Sequence, residues 1–235
     1  MMNSYLSLDL ETTGVNPKQE RIIEFGAVRI EDGVCTGVFE SLVNPGRRLE
    51  EKVIRLTGIT DEDLADAPEI TEVLPRFMEF AKDLPLLGHS VWFDFSFVKK
   101  AAVNQGLSFE RAGVDTYKIA KKYLVDLPKR NLGFLCEHYN ISLHAHRAVE
   151  DARAAVALYE AMWGQFGGEE DVSLFEPVLL QYQVKQDRPA TKSQKERLYK
   201  LVSMHKIDTI YDIDKLTRSE ASRYTDRILS KYGRL

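Results

Sequence analysis

Residues 8–14 read Leu-Asp-Leu-Glu-Thr-Thr-Gly, and this stretch decides the fold. From Tyr5 to Glu11 apolar and polar residues alternate, which predicts a strand whose leucines face one side while Asp9 and Glu11 face the other. The rise per residue places the two carboxylates about 7 Å apart along that strand. Because two anions so close repel each other, an apolar strand that carries them indicates a compensating cation. A strand end with one exposed polar edge has the same pattern, so other segments must decide.

The composition describes an ordinary globular protein. A chain of 235 residues with 44% apolar and 29% charged residues can form one well-packed domain plus a smaller module. It contains no run of eighteen apolar residues, and its first residues lack the basic region of a signal peptide, so we expect no membrane association and a cytoplasmic location. Cys35 and Cys136 form no CxxC motif and are predicted to be free, buried thiols.

The charge is distributed unevenly along the chain. Residues 185–235 contain 13 Lys and Arg against 7 Asp and Glu, a net charge of +6, whereas the remainder carries −10. This asymmetry indicates that a metal site and an anionic partner are handled by different parts of the molecule. A lysine-rich solvated helical surface explains the same numbers equally well.

The order of predicted elements indicates a layered α/β domain. Residues 5–11, 21–30 and 36–43 read as three strands of an antiparallel meander, and helices then alternate with short strands. Gly167 and Gly168 mark a boundary, which divides the chain into a domain at 1–168, a linker at 169–189 and a small basic helical module at 190–235.

The C-terminal module has two predicted helix starts. Ser193 with Glu196, and Thr217 with Glu220, each have the spacing of a capping box. A module of about 45 residues is marginally stable alone, so we expect it to dock on another surface.

Three further candidate residues lie near the ends of predicted elements. Asp94 comes just before a predicted helix, Asp151 lies about one turn into another, and His146 is in the loop before it. Taken singly, Asp94 could be a helix N-cap, and Asp151 could be an acid that interacts favourably with the N-terminus of its helix. His146 alone could be an ordinary loop histidine.

Together these segments resemble the DEDDh family, the DnaQ-like 3′→5′ exonucleases that include proofreading and RNA-trimming nucleases. The motifs occur in the family's order, as LDLETTG with Asp9 and Glu11, GHSVWFDFSFV with Asp94, and HRAVEDARAAVALY with His146 and Asp151. RIIEFGAVRI, LTGITDEDLADAP and VDTYKIAKKYL are also similar in type, so the resemblance covers roughly residues 4–166. The chain departs from many relatives at residues 89–90, which are His-Ser rather than His-Asn, and at residues 57–59, which are Thr-Gly-Ile rather than His-Gly-Ile.

The resemblance implies an RNase H-like fold, with a mixed five-stranded sheet flanked by helices, and a hydrolase that binds two divalent metal ions. Mg²⁺ or Mn²⁺ suits oxygen ligands, and two such ions stabilise the attacking and leaving oxygens of a phosphodiester. Asp9 would bridge both ions, Glu11 and Asp151 would complete the site of the attacking water, and Asp94 would act on the second ion directly or through water. His146 would take the proton from that water.

The resemblance also implies that substrate enters by its 3′ end. Main-chain groups near Thr12 and Thr13 would hold the terminal sugar. Ile59, Phe93 and Phe97 are candidates to pack on terminal bases, although core packing explains Phe97 at least as well.

The leading hypothesis is therefore a metal-dependent 3′→5′ exonuclease of the type of the epsilon proofreading subunit of DNA polymerase III. It would release 5′-mononucleotides from single-stranded ends, with DNA favoured, in replication or repair and in association with a DNA polymerase or another replication protein. RNA 3′-end trimming and a non-catalytic nucleic-acid or replication-protein binding module are the alternatives. The C-terminal module weakly resembles a small helical module appended to various bacterial proteins, and its charge fits either phosphate contact or docking of a partner protein.

Overall fold

The computed structural model describes residues 1–143 and 147–233 of the chain. In that part, six strands form one sheet: β1 (Tyr5–Thr12), β2 (Ile22–Glu31), β3 (Val34–Leu42), β4 (Leu86–Gly88), β5 (Ala112–Asp115) and β6 (Val178–Leu179). The α-helices of the described residues are α1 (Glu51–Thr57), α2 (Asp61–Ala65), α3 (Ile70–Ala81), α4 (Trp92–Asn104), α5 (Thr116–Tyr123), α6 (Leu132–His138), α7 (Ala148–Phe166), α8 (Lys192–Met204) and α9 (Arg218–Tyr232). Short 3-10 turns cover Ser173–Phe175 and Ile213–Lys215.

The sheet is mixed, with strand order β3-β2-β1-β4-β5-β6. The first three strands form the predicted antiparallel meander, whereas β4 and β5 run parallel to β1. Strand β1 therefore lies in the interior of the sheet, with β2 on one side and β4 on the other. This position buries the strand that carries Asp9 and Glu11 within the domain.

The two faces of β1 pack against different helices, as its alternating sequence predicts. Leu6, Leu8 and Leu10 belong to the core cluster that contains residues of α3 and α4. On the opposite face Tyr5 packs with residues of α7, and the Ser7 hydroxyl donates to the Ala152 carbonyl at 2.8 Å. The polar face of β1 is thus covered by α7.

The sheet has one strand more than the five predicted. The additional strand, β6, pairs antiparallel with β5 and comes from the segment predicted to be a linker. Its two residues, Val178 and Leu179, are both exposed. The segment therefore lacks the alternation of buried and exposed residues from which a strand is predicted. The RNase H-like α/β architecture itself is confirmed.

Two local predictions were wrong. Helix α8 is capped by Thr191 with Gln194 rather than by Ser193 with Glu196, because the Thr191 side chain accepts from the Gln194 N–H while the Gln194 side chain accepts from the Thr191 N–H. The Thr217–Glu220 capping box of α9 is confirmed. Cys35 is exposed rather than buried, because it lies on the outermost strand β3, whereas Cys136 is buried.

Helices α8 and α9 pack on each other and dock on the sheet domain. Their shared core contains Leu198, Leu201, Ala221 and Ile228. The backbone N–H of Arg48 donates to the Ile210 carbonyl at 2.6 Å, which joins the loop after β3 to the segment between the two helices. The expected docking surface is therefore the chain's own N-terminal part. No helix among the described residues is both long enough and apolar enough to cross a bilayer.

Candidate active site

The acidic residues of β1 lie opposite particular positions of β2. In the antiparallel register Asp9 pairs with Gly26 and Glu11 with Glu24, and the register shifts between Glu11 and Thr12. Asp9 is half-buried and Glu11 is buried. The sheet therefore holds both carboxylates inside the domain, where solvent stabilises their charge poorly.

Gly26 permits helix α7 to reach this part of the sheet. A Cβ atom built on Gly26 would lie 2.0 Å from the carbonyl carbon of Ala148 and 2.1 Å from the backbone nitrogen of Val149. Only a residue without a side chain allows this approach of helix backbone to strand. The first turn of α7, which carries Asp151, consequently packs directly over β2 beside Asp9.

The structure brings together Asp9, Glu11 and Asp151. One carboxylate oxygen from each residue lies within 4.8 Å of the others. Strand β1 and helix α7, whose acids lie up to 142 positions apart in sequence, thus bring their carboxylates to one point. The convergence of these three carboxylates is the central feature of the site.

Asp94 approaches the same site from helix α4. It lies in the first turn of that helix and is not its N-cap, the alternative explanation from the sequence, because α4 begins at Trp92. The Asp94 carboxylate is buried and accepts from the Leu10 N–H at 3.1 Å. Among the described residues Asp94 is not one of the carboxylates that meet within 4.8 Å.

The proximity of these acids changes their protonation. Burial, followed by the charges of Asp94, Asp151 and Glu11, raises the pKa of Asp9 well above its ordinary value. Burial and the charges of Asp151 and Glu24 raise the pKa of Glu11 to about 7. Burial also raises the pKa of Asp94, against the opposing effect of its backbone hydrogen bonds. The three shifts have one physical cause, which is negative charge concentrated in a place that water reaches poorly.

This donor set fits a hard divalent cation. All the converging ligand atoms are carboxylate oxygens, which Mg²⁺ and Mn²⁺ prefer. A cation there would offset the negative charge that, after burial, raises the pKa values of Asp9 and Glu11. The residues present therefore suit a divalent metal, as the family implies.

Glu24 is a residue of the site that the sequence analysis did not single out. It is fully buried on β2, and its carboxylate accepts from the Ala148 N–H at 3.1 Å and from the Arg147 guanidinium at 3.1 Å. It thereby anchors the N-terminus of α7, and with it Asp151. The available signal was a lone acid in the apolar run Ile-Ile-Glu-Phe-Gly-Ala-Val at residues 22–28.

His146, the predicted general base, lies outside the described residues. Its neighbour Arg147 is described. The Arg147 guanidinium pairs with the carboxylate of Glu24 at 3.1 Å and with that of the exposed Glu40 at 2.9 Å. The role of His146 stays a prediction.

Thr12 and Thr13 follow the carboxylates at the end of β1. The Thr12 hydroxyl donates to the Gly14 carbonyl at 2.8 Å. The Thr13 hydroxyl donates to Glu20 at 2.8 Å and accepts from the Arg21 N–H at 2.9 Å and from the Arg47 guanidinium. The side chain of Thr13 is therefore held by Glu20, Arg21 and Arg47, and the Thr13 N–H donates to the Arg21 carbonyl at 2.9 Å. The contact of main-chain groups near Thr12 and Thr13 with the terminal sugar stays a prediction.

The three apolar candidates occupy different surroundings. Ile59 is buried in a small cluster with Val53 and Leu64, and Phe97 is 3% exposed within the main core. Phe93 is partly buried, and its ring centroid lies 4.9 Å from that of Phe97. Of these residues, Phe93 has the most accessible ring; a base contact for any of the three stays a prediction.

Comparison with known proteins gives one family and several longer relatives. The exonuclease family model named RNase_T matches residues 6–159. The chain is 38% identical over 183 residues to a DNA polymerase III PolC-type of Caldanaerobacter subterraneus, covering 77% of this chain and 13% of that protein. It is 33% identical over 240 residues to the DNA polymerase III PolC-type of Clostridium perfringens, covering 97% of this chain and 16% of that protein. The chain thus spans about one seventh of the length of these curated relatives.

Solved structures support the fold. Exonuclease X, determined in complex with 5′ overhanging duplex DNA, superposes with a TM-score of 0.57 at 23% identity, covering 73% of this chain and 99% of that chain. At this level of identity the match concerns the architecture of the sheet and its helices.

Proposed function

The chain belongs to the RNase_T exonuclease family, the DnaQ-like 3′→5′ exonucleases with an RNase H-like fold, and on that premise we propose that it removes nucleotides from the 3′ end of single-stranded DNA. The observation that carries the proposal is the convergence of Asp9, Glu11 and Asp151 within 4.8 Å. Phosphodiester hydrolysis needs charge stabilisation at the attacking and leaving oxygens, and a cluster of buried carboxylates provides the ligands for the cations that supply it.

The acidic residues would together bind metal in the proposed reaction. Asp9, Glu11 and Asp151 would hold the divalent ions, and Asp94 would contribute from α4 while its bond to the Leu10 N–H fixes its orientation. When bound, two ions of Mg²⁺ or Mn²⁺ would stabilise negative charge on both oxygens of the displacement. The buried setting strengthens every electrostatic interaction with the reacting phosphate.

The proton and the substrate end would be handled by the neighbouring loops. His146 would accept the proton of the attacking water, since its ordinary pKa lies close to neutral pH. Main-chain groups at Thr12 and Thr13 would hold the terminal sugar, and Phe93 would contact a base; the partial exposure of its ring supports this role. The product is a 5′-mononucleotide and a strand shortened by one unit.

The two PolC-type relatives described above, at 38% and 33% identity, support DNA as substrate and replication as setting. Both are named DNA polymerase III PolC-type, so a proofreading role beside a DNA polymerase is the proposed context. The exonuclease unit proposed at 1–168 contains the whole carboxylate cluster. The proposed linker at 169–189 adds strand β6 to its sheet, and the proposed module at 190–235 follows.

The test follows shortening of a 5′-labelled single-stranded DNA, and of RNA of the same sequence, with Mg²⁺, Mn²⁺ or a chelator. We expect a ladder from the 3′ end that disappears with the chelator and in Asp9→Ala and His146→Ala. Asp126→Ala and His138→Ala change exposed residues of the same types and serve as matched controls.

Each outcome of this experiment is decisive. Faster shortening of RNA than of DNA would replace the proposed substrate by RNA. No shortening of either strand with either metal would refute the exonuclease and leave a nucleic-acid binding module. Activity that persists in His146→Ala with an unchanged pH profile would remove His146 from the mechanism.

A further inference from the structure

A cleft rich in arginine lies where the C-terminal helices meet the loop after β3. Arg47 and Arg48 come from that loop, and Arg223 and Arg227 come from α9. We refer to these four residues as the arginine cleft. Arg223 and Arg227 are four positions apart on one helix, so they present their charge on the same face.

The positive charge of the arginine cleft is only partly balanced by the protein. Two acids line the cleft: Glu20, which pairs with Arg47, and Glu50, which pairs with Lys52 at 2.8 Å. Arg48 pairs with Asp208 at the exposed outer edge. Neither Arg223 nor Arg227 makes an ion pair with any residue in the part of the chain that the structure describes.

Arg223 also has an unused donor. Its Nε atom is buried and has no hydrogen-bond acceptor among the described residues. A buried N–H of a charged group normally has a partner, because leaving it unpaired costs free energy. An anion at the cleft would supply the negative charge that Arg223 and Arg227 lack among the described residues.

The cleft is held in shape by Tyr224 of α9. The ring of Tyr224 stacks on Tyr211 with centroids 3.7 Å apart, and its hydroxyl accepts from Arg47 at 3.2 Å. The guanidinium of Arg223 lies 5.1 Å from the Tyr224 ring centroid and that of Arg227 lies 5.9 Å from it. Since the one aromatic ring of the cleft is already covered, the arginines offer contacts to phosphate and not to a base.

The arginine cleft adjoins the end of β1, the strand that carries Asp9 and Glu11 of the candidate active site. Thr13 lines the cleft and lies two residues after Glu11, whose carboxylate belongs to the cluster. The Arg47 guanidinium donates to the Thr13 hydroxyl, so the cleft and the end of β1 share a hydrogen bond. A strand with its 3′ end at the carboxylates would reach the cleft by passing the end of β1.

We propose that the arginine cleft binds the phosphate backbone of single-stranded DNA upstream of the 3′ end that occupies the carboxylate site. This inference rests on the proposed function for the identity of its ligand. Contacts to phosphate carry no sequence information, so the cleft would increase affinity for any strand long enough to reach it. It gives the C-terminal module a role in holding substrate.

The test measures binding of 5′-labelled DNA by fluorescence anisotropy, using the full chain with Asp9→Ala so that no cleavage occurs. The variants are Arg223→Gln with Arg227→Gln, the charge-preserving pair Arg223→Lys with Arg227→Lys, and a matched control, Arg197→Gln with Lys200→Gln. The control residues are exposed on α8 and do not line the cleft. Oligonucleotides of about four and about sixteen nucleotides span the usual site sizes.

We expect the glutamine pair to weaken binding of the longer strand about tenfold or more. The slope of the logarithm of the binding constant against the logarithm of the salt concentration should become flatter by about 1.4, the value for two phosphate contacts on a single strand. The short strand should bind equally well to all variants. The lysine pair should keep the salt slope, because it keeps both charges.

Equal salt slopes for the glutamine pair and the control would overturn the proposal. An equal loss of affinity for the short and the long strand in the glutamine pair would overturn it as well. These measurements need no cleavage, so their failure is separate from failure of the exonuclease. If the wild-type chain shortens DNA but the glutamine pair binds DNA as tightly as the wild type, the phosphate-binding role of the arginine cleft is refuted and the exonuclease stands. The cleft would then be a candidate site for an acidic partner protein.

Discussion

Glu24 is the side chain on which the position of Asp151 depends. It contacts no reacting atom, but it holds the N-terminus of α7 through Ala148 and Arg147. An acid that orients other ligands of a metal site usually affects activity nearly as strongly as a direct ligand.

Glu24→Gln should lower exonuclease activity by about 10- to 100-fold, because the amide keeps one acceptor but loses the charge that pairs with Arg147. Glu40→Gln is the matched control, since Glu40 pairs with the same guanidinium from the exposed side. The measurement is kcat and KM with labelled DNA over a range of Mg²⁺ concentrations. Equal activity of the two variants would show that Glu24 does not position the site.

The raised pKa of Glu11 predicts how stability depends on pH without metal. Between its ordinary pKa of 4.5 and its folded pKa of about 7, the folded chain binds more protons than the unfolded chain. The free energy of unfolding should therefore fall as pH rises through this window, by no more than about 3 kcal/mol from Glu11.

This dependence can be measured by denaturant unfolding with a chelator at several pH values. Glu11→Gln should flatten the curve, whereas the exposed Glu137→Gln should leave it unchanged. Addition of Mg²⁺ at neutral pH should restore the stability that deprotonation removes, because bound metal stabilises the charged form. Stability that rises with pH in the chelated wild type would contradict the assigned shift.

Among the elements, β2 and α7 determine the geometry of the site through their close contact. Gly26 lies where a side chain would overlap the backbone of Ala148 and Val149. The sequence shows only a glycine within an apolar strand, which is also typical of a bulge.

Gly26→Ala should destabilise the protein by about 1–3 kcal/mol, since α7 must move away from the sheet to admit the methyl group. Activity should fall further than stability alone explains, because Asp151 moves with the helix. Gly133→Ala is the control: no atom lies within 4 Å of its added Cβ, and alanine favours the helix by about 0.5–1 kcal/mol. Thermal unfolding and DNA shortening, measured on both variants, test this prediction.

In the whole molecule, the connection between the exonuclease fold and the C-terminal helices includes a partly buried ion pair. Glu220 pairs with Arg21 at 2.9 Å and closes the capping box of α9. Burial would raise the pKa of Glu220, but Arg21 and the bonds from Thr217 outweigh it and hold that pKa below its ordinary value. The charged form of Glu220 therefore contributes stability above pH 4.5, and this contribution is lost as pH falls.

Glu220→Gln should lower the free energy of unfolding by about 1–2 kcal/mol at neutral pH, because it removes a charged partner of the partly buried Arg21. Asp208→Asn is the matched control, because it breaks the ion pair with Arg48 that joins the same two parts at the surface. This variant should lower the free energy of unfolding by less than about 0.5 kcal/mol. Urea unfolding of both variants gives the comparison. A cost for Glu220→Gln no larger than that of the control would show that this pair does not fasten the module.

The sequence by itself determined the class of fold and the candidate ligands. The alternation of residues 5–11 predicts a strand with leucines on one face and acids on the other, and the structure has that arrangement. The RNase H-like exonuclease was predicted from the resemblance of the three motifs to the DEDDh family, whereas the strand itself was predicted from the period of its residues, which is a local property of the chain.

Only the tertiary structure decided which residues meet. The contact of α7 with Gly26, the anchoring by Glu24, the sixth strand and the arginine cleft all depend on pairs far apart in sequence. The burial of these polar groups is set by packing, and local patterns do not encode the partner across a packed interface. The charge excess at residues 185–235 is visible in the sequence, but its placement beside Thr13 follows from the docking of α9.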